Sequence, residues 1–425
     1  MEFEEGILAE PVSPIAQYCN SSAFQLSIIG VWEFSIPIDE KQVKLFVSDA
    51  FLPINPRLSS IMVGDINETQ RWKKVEVKLE DHIYSPNFHS SLSVESYDRF
   101  LDEYISDISL KAFPENKPMW EIHIIKYPTT NAASSLVFRL HHALGDGYSF
   151  MSAMLSCLRR ADNPALPMRF PSRQRSKSDY KKDYNIFTNL PRVFSSVFKT
   201  MSDFSWSFLK SSFVEDDRTP IRSGNDGVEF QPTTITTIFF PLDQIKLIKT
   251  KLGVTINDTI CGIIFLGVRL YMHEFSQKWD SSNSTALVLL NTRKPGVDYK
   301  SLEMGKPSEK TNMAWGNRFA FLDVQVPKFN QISNPSDFVC YSQNEINRKR
   351  TPFAVYLNTK LLRIVDKFKG HEDLGITIVS YMGKLRVVLK MEKEYIDSQK
   401  LKSCVENAFE TIFKATQKVP TAGKL

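Results

Sequence analysis

The chain has 425 residues, with 53 lysines and arginines against 48 acidic residues and a formal net charge of +5. That length exceeds what one hydrophobic core accommodates, so two domains are expected. Apolar (42%) and charged (24%) fractions are those of a globular protein, and the modest charge, with no recognisable binding motif, excludes a nucleic-acid partner as the reading. Five scattered cysteines (Cys19, Cys157, Cys261, Cys340, Cys404) without a CxxC predict a reduced compartment and neither a disulfide framework nor a zinc site. The opening MEFEEGILAEPVSP is acidic and has no long apolar run, so no secretory signal or transit peptide is read there.

Along the first half, strand and helix patterns alternate. Residues 25–36 (QLSIIGVWEFSI), 75–79 (VEVKL), 121–126 (EIHIIK) and 134–140 (SSLVFRL) predict strands. Residues 96–108 place Phe100, Leu101, Tyr104, Ile105 and Ile108 at helical spacing, and 148–158 do the same with Phe150, Met151, Met154, Leu155 and Leu158. Residues 162–183, with three prolines and then Arg173, Arg175, Lys177, Lys181 and Lys182, read as a basic linker. Residues 187–208 recur apolar every three or four positions, with Arg192, Lys199, Asp203 and Lys210 interrupting. That pattern is an amphipathic helix that either packs on the core or lies in a membrane interface.

The second half opens with a predicted strand at 233–240 and a helix at 242–252. A long buried helix follows at 257–274, with Thr255 and Asn257 as cap candidates. Strands at 286–290 and 319–326 and a closing helix at 395–415 complete the order, which echoes that of the first half.

Between the strand 134–140 and the helix 148–158 lies His141-His142-Ala143-Leu144-Gly145-Asp146-Gly147, an HHxxxDG run. A neutral imidazole accepts a proton from an alcohol near pH 7, and a strand end is a rigid place from which to aim it. Adjacent histidines point in different directions and no third ligand stands nearby, so a metal site is the poorer reading. A hydrogen-bonded structural histidine is the bland alternative.

At these residues the chain resembles the plant wax ester synthase/diacylglycerol acyltransferase family. Residues 116–121 (NKPMWE) resemble its PLW element with Met119 in place of leucine, Asn257-Asp258 its ND element, and Asn291-Thr292-Arg293 its NxR element. Gly316-Asn317-Arg318-Phe319 resemble its GNxF element, and residues 380–385 (SYMGKL) a late strand. The resemblance implies a two-domain α/β (α+β) fold of the CoA-dependent acyltransferases, akin to chloramphenicol acetyltransferase and condensation domains, with the active site at the domain interface. Expected boundaries are 1–162 for the first domain, 163–220 for the linker and amphipathic helix, and 221–425 for the second. An SNxxGP element expected after the helix at 353–368 is missing, as though a segment had been deleted near 369–373.

By resemblance, His142 is the general base, and long-chain acyl-CoA with a long-chain alcohol or diacylglycerol are the substrates, with acyl-CoA as co-substrate and no cofactor or metal. His141 packs or orients its neighbour. Asp146 holds structure by pairing with an arginine, for which Arg293 is the candidate. Gly147 permits a tight turn and close ligand approach. Pro118, Met119 and Trp120 line an acyl channel or form a core turn, and Asn257 and Asp258 bind substrate or cap a helix. The endoplasmic reticulum membrane, on its cytosolic face, is the expected location, with the plasma membrane as another. Two further readings stay open: an acyltransferase acting on soluble alcohols or amines, and a catalytically inactive form. The first usually carries a DFGWG element, which this chain lacks.

Overall fold

The computed structural model describes residues 7–21, 24–25, 27–64, 70–88, 92–166, 168, 216–225, 231–293, 315–350 and 374–418. The expected amphipathic helix at 187–208, most of the basic linker, the helix at 353–368 and the junction near 369–373 lie outside them. Two compact units result: Met1–Tyr184 with Asn291–Phe319 and Leu362–Asp366, and Asn185–Leu290 with Ala320–Leu361 and Lys367–Leu425. Among the described residues, 291–293 and 315–319 group with the first unit.

The first unit carries strands β1 (Ile7–Pro11), β2 (Ser27–Phe34), β3 (Ser60–Val63), β4 (Arg71–Lys74) and β5 (Ile83–Tyr84), and then helix α1 (Val94–Leu110). β6 (Trp120–Ile125), β7 (Ser134–His141) and helix α2 (Gly147–Cys157) follow. A four-stranded sheet runs β2-β7-β6-β5, and a three-stranded one β1-β4-β3. β7 is antiparallel to both neighbours, with Ser27 and Met119 flanking His141 at its end. All eight β7 residues are buried, so the strand is covered on both faces. Leu136, Phe138 and Leu140 enter a core with Trp72, Trp120 and Phe51.

The opposite face of β7 carries Arg139, which is only 1% exposed. Its Nη1 donates to Glu121 Oε2 at 2.8 Å, its Nη2 donates to the Lys111 carbonyl, and its guanidinium lies 3.9 Å from the Phe113 ring centroid. A buried charge is tolerable only with such partners. His123 extends the cluster, reaching Glu121 at 3.3 Å and the Tyr104 hydroxyl at 2.8 Å.

The second unit contains β8 (Thr233–Pro241), α3 (Leu242–Leu252), α4 (Ile256–Phe275), β9 (Thr285–Asn291), β10 (Phe319–Gln325) and α5 (Asp337–Lys349). It closes with β11 (Leu374–Tyr381), β12 (Lys384–Glu392) and α6 (Ser398–Gln417). Its strands order as β8-β12-β11 and β9-β10. Gly253, at φ 67°, ends α3, and Thr255 caps α4. α4 is the buried centre of this unit. At Gly262 and Gly267 the backbone or side chain of Val339 and of Val405 comes so close that a Cβ would sit 2.6–2.8 Å from their Cα atoms. Among the described residues no single helix is long and apolar enough to cross a membrane.

Two sequence expectations need correction. Residues 75–79 keep the alternating exposure of a strand, but the ladder is β4, just before them. Val75 N–H reaches the Ser59 carbonyl at 2.9 Å and the chain then turns at Leu79–Asp81. Residues 380–385 are not one strand but the apex joining β11 to β12. Met382 (φ 49°) and Gly383 (φ 75°) form the two-residue turn, with both φ values positive as a tight hairpin of this hand requires.

Candidate active site

The HHxxxDG run leaves the end of β7 and enters α2. Asp146 is the N-cap of α2: its Oδ1 accepts from Ser149 N–H and from Ser149 Oγ, each at 2.9 Å. An aspartate there satisfies an orphan amide and favours the helix dipole. The same carboxylate faces Arg293, whose Nη1 donates to Oδ2 at 2.8 Å and whose Nη2 donates to Oδ1 at 2.7 Å. Arg293 Nη2 also reaches Ser149 Oγ and the Gly316 carbonyl, both at 2.8 Å. Its guanidinium lies 4.7 Å from the Tyr148 ring centroid. Burial alone would raise the Asp146 pKa. The Arg293 hydrogen bonds, the Arg318 amide, the Arg293 charge and the Ser149 amide outweigh it and hold the carboxyl below its ordinary value. Asp146 is therefore committed to an ion pair and a cap.

The segment 315–318 fastens to this turn residue by residue. Trp315 Nε1 donates to the Leu144 carbonyl at 2.7 Å, and Gly316 N–H donates to Ser149 Oγ at 3.2 Å. Asn317 Nδ2 donates to the His142 carbonyl at 2.8 Å, and Arg318 N–H donates to Asp146 Oδ2 at 3.0 Å. The Phe319 ring stands edge-on to the His142 ring at 5.4 Å. No local pattern in the sequence announces these partners, which lie 167 to 175 positions from the turn. The GNxF resemblance marked the segment without giving it a role.

The two histidines differ. His141 Nδ1 accepts from the Ala143 amide at 3.1 Å, which assigns the proton to Nε2, and Phe113 packs edge-on to its ring. Burial, then the neighbouring His142 and Arg139, push the His141 pKa down to about 4. His141 is thus a neutral, turn-holding residue whose Nδ1 is occupied. In His142, burial depresses the pKa, while the Asp146 charge, the Asn317 side chain and the histidine's own backbone work in the other direction. The net effect is a neutral imidazole at physiological pH, the form that accepts a proton.

Gly147 begins α2 without a left-handed φ, and a Cβ there would meet no described atom within 4 Å. The turn itself does not require glycine at this position. Trp120 is fully enclosed: Nε1 donates to the Leu58 carbonyl at 2.7 Å and His82 stacks on its indole at 4.3 Å. Of the two readings open for Trp120, the core turn describes the structure. Pro118 and Met119 are buried with it, and the Met119 carbonyl accepts from His141 N–H at 2.9 Å, so this turn braces the base of the histidine run.

Asn257 and Asp258 stand in the second unit. Asp258 completes a capping box, accepting from Thr255 N–H at 2.8 Å while Thr255 Oγ1 accepts from the Asp258 amide at 3.2 Å. Asn257 is exposed in the first turn of α4. The cap is the role the structure gives Asp258, with Thr255 rather than Asn257 as the N-cap residue.

Residues 63–260 match the wax ester synthase/diacylglycerol acyltransferase catalytic domain, and residues 367–413 match the C-terminal domain of the same family. Together the matches take in more than half of the chain and include the whole HHxxxDG run. The chain belongs to the wax ester synthase/diacylglycerol acyltransferase family. Among its Arabidopsis thaliana relatives, wax ester synthase/diacylglycerol acyltransferase 11 is 26% identical over 385 residues, which is 86% of this chain and 77% of the relative. Wax ester synthase/diacylglycerol acyltransferase 4 is 27% identical over 384 residues, covering 85% and 72%.

Solved structures agree on the fold. The wax ester synthase/diacylglycerol acyltransferase from Marinobacter aquaeolei VT8 aligns with a TM-score of 0.56 at 12% identity, covering 96% of this chain and 100% of that one. The SgcC5 protein from Streptomyces globisporus gives 0.57 at 12% identity, covering 96% and 99%. The fold is therefore that of the two-domain CoA-dependent acyltransferases and condensation domains.

Proposed function

We propose that this family member is an O-acyltransferase that moves a long-chain fatty acyl group from acyl-CoA to a long-chain alcohol, to diacylglycerol, or to both. The observation that carries the reading is His142: a half-buried, neutral imidazole at a strand end, in an HHxxxDG turn whose aspartate is tied up by Arg293. With Asp146 engaged elsewhere, the imidazole works as a single base. A Cβ on Gly147 would meet no described atom within 4 Å, which suits a ligand passing the start of α2.

His142 takes the proton of the acceptor hydroxyl as its oxygen attacks the thioester carbonyl carbon. The tetrahedral oxyanion that forms collapses, the carbon–sulfur bond breaks, and the CoA thiolate leaves. The imidazolium returns its proton to that sulfur, which releases CoA as the thiol and leaves the ester. Amides in the stretch 145–147 are the candidate donors to the oxyanion. A membrane surface, that of the endoplasmic reticulum, suits substrates this apolar.

The acceptor is tested by expressing the chain in yeast unable to make storage lipid and offering labelled palmitoyl-CoA with hexadecanol or with diacylglycerol. Labelled wax ester or triacylglycerol names the acceptor. Labelled product only with soluble alcohols or amines would overturn the lipid reading.

A further inference from the structure

We propose that Asn317 is a positioning residue that fixes the tautomer of His142, holding the imidazole with its proton on Nδ1 and leaving Nε2 as the basic atom. The inference rests on the general-base reading above and names what supports that base.

Two buried polar atoms carry the argument. Asn317 Oδ1 and His142 Nδ1 are each shielded from solvent, and neither has a hydrogen-bond partner of good geometry among the described residues. The two residues are already linked, since the Asn317 side chain donates through Nδ2 to the backbone carbonyl of His142 at 2.8 Å. An amide oxygen is an acceptor only, whereas an imidazole nitrogen donates or accepts according to its tautomer. Leaving both unpaired is costly, and the cost is lowest when one is a donor and the other an acceptor. A proton on Nδ1 meets that condition, whereas a bare Nδ1 would leave two shielded acceptors without a donor. The amide is itself fixed, because Trp315, Gly316 and Arg318 on either side are pinned to Leu144, Ser149 and Asp146. Phe319, edge-on at 5.4 Å, limits rotation of the ring.

The neighbouring histidine provides the contrast. His141 Nδ1 accepts a backbone N–H, so its proton is on Nε2. The HHxxxDG turn would then hold two consecutive histidines in opposite tautomers. Burial lowers the His142 pKa, and the Asp146 charge, the Asn317 side chain and the histidine's own backbone act against it, Asn317 with the sign of an acceptor facing a ring N–H.

The test is nitrogen-15 NMR of the full chain labelled at histidine, with His142→Gln for assignment, alongside acyl-transfer kinetics. The expected result is a His142 signal protonated on Nδ1 in the unmodified protein. In Asn317→Ala that signal becomes a mixture of tautomers, and kcat falls by roughly tenfold or more while KM for acyl-CoA stays close to its original value. Asn317→Asp keeps an acceptor and adds a charge, so Nδ1 stays protonated and the acidic limb of the kcat profile moves to higher pH. A proton on Nε2 in the unmodified protein, or an unchanged tautomer and kcat in a folded Asn317→Ala, would overturn the proposal. Full acyl transfer by His142→Ala would instead overturn the general-base reading and leave the tautomer result standing, which separates the two failures.

Discussion

Arg293 grips Asp146 with both terminal nitrogens, at 2.8 and 2.7 Å, across 147 positions of sequence. The pair is buried on both sides and shares Ser149 and the Gly316 carbonyl. It ties the segment that carries Asn317 to the turn that carries His142. Removing one partner would leave the other charge buried and uncompensated, at about 3–5 kcal/mol. Asp146→Ala and Arg293→Ala should therefore both lower the urea midpoint strongly, and the double variant should lose less than their sum. A stable but inactive Asp146→Asn would count against this structural role and move Asp146 into the chemistry.

Acid should weaken the first unit in two stages. His141 titrates near pH 4 in the folded chain, below the ~6.5 of an unfolded histidine. The unfolded state therefore binds the proton first, and this contribution is complete above about pH 6.5 and fades as pH falls toward 4. His142 is depressed in the same direction. Asp146, held below the ~3.9 of an unfolded aspartate, adds a further loss only below about pH 4. Denaturation midpoints measured from pH 8 to pH 3 should fall in that order, and His141→Asn should flatten the upper stage. A midpoint that rose between pH 7 and pH 5 would contradict the account.

The second unit has its own weak points at Gly262 and Gly267. A methyl group at either would approach Val339 or Val405 to 2.6–2.8 Å, with backbone atoms among the contacts. Overpacking of this kind costs about 1–3 kcal/mol and sometimes more, despite the better helix propensity of alanine. Gly262→Ala and Gly267→Ala should lower the thermal midpoint. Gly30→Ala in β2, where a Cβ meets nothing within 4 Å, should not. Equal tolerance at all three positions would refute the close approach of α5 and α6 to α4.

Trp315→Phe keeps an aromatic ring against Phe150, now 5.3 Å away, but removes the donor to the Leu144 carbonyl. The expected loss is about 1–2 kcal/mol of stability with a measurable drop in kcat, because the segment 315–318 loosens at its first stitch. An unchanged kcat would show that this stitch does not support the base.

What the sequence revealed and what it concealed have physical reasons. The strand at 134–140, the turn and the helix at 148–158 were legible because apolar periodicity changes from two to near 3.6 across a glycine-bearing turn. The structure has them as Ser134–His141 and Gly147–Cys157. α3 and α4 were legible for the same reason. The cap at Thr255 was visible, but whether Asp258 served it or a substrate was not, since a capping box and a polar site use the same residue types. Val75 and Val77 alternate as a strand does, yet only a partner strand makes a ladder, and that partner is a long-range fact. Met382 hides a hairpin turn because methionine rarely takes a positive φ. Trp315 and Asn317 were invisible as partners of Leu144 and His142, for no local pattern encodes a contact more than 170 residues away. Arg293 was legible as the partner of Asp146 only through the family resemblance.

The most direct test of the account is acyl transfer by His142→Ala beside the unmodified chain and His141→Ala, with folding checked by circular dichroism. Labelled palmitoyl-CoA is offered with the acceptor that the yeast experiment identifies. The account predicts that His142→Ala folds and loses transfer by roughly 100-fold or more, the scale of a missing general base. His141→Ala should lose part of its activity along with stability. Full activity in a folded His142→Ala would contradict the central claim.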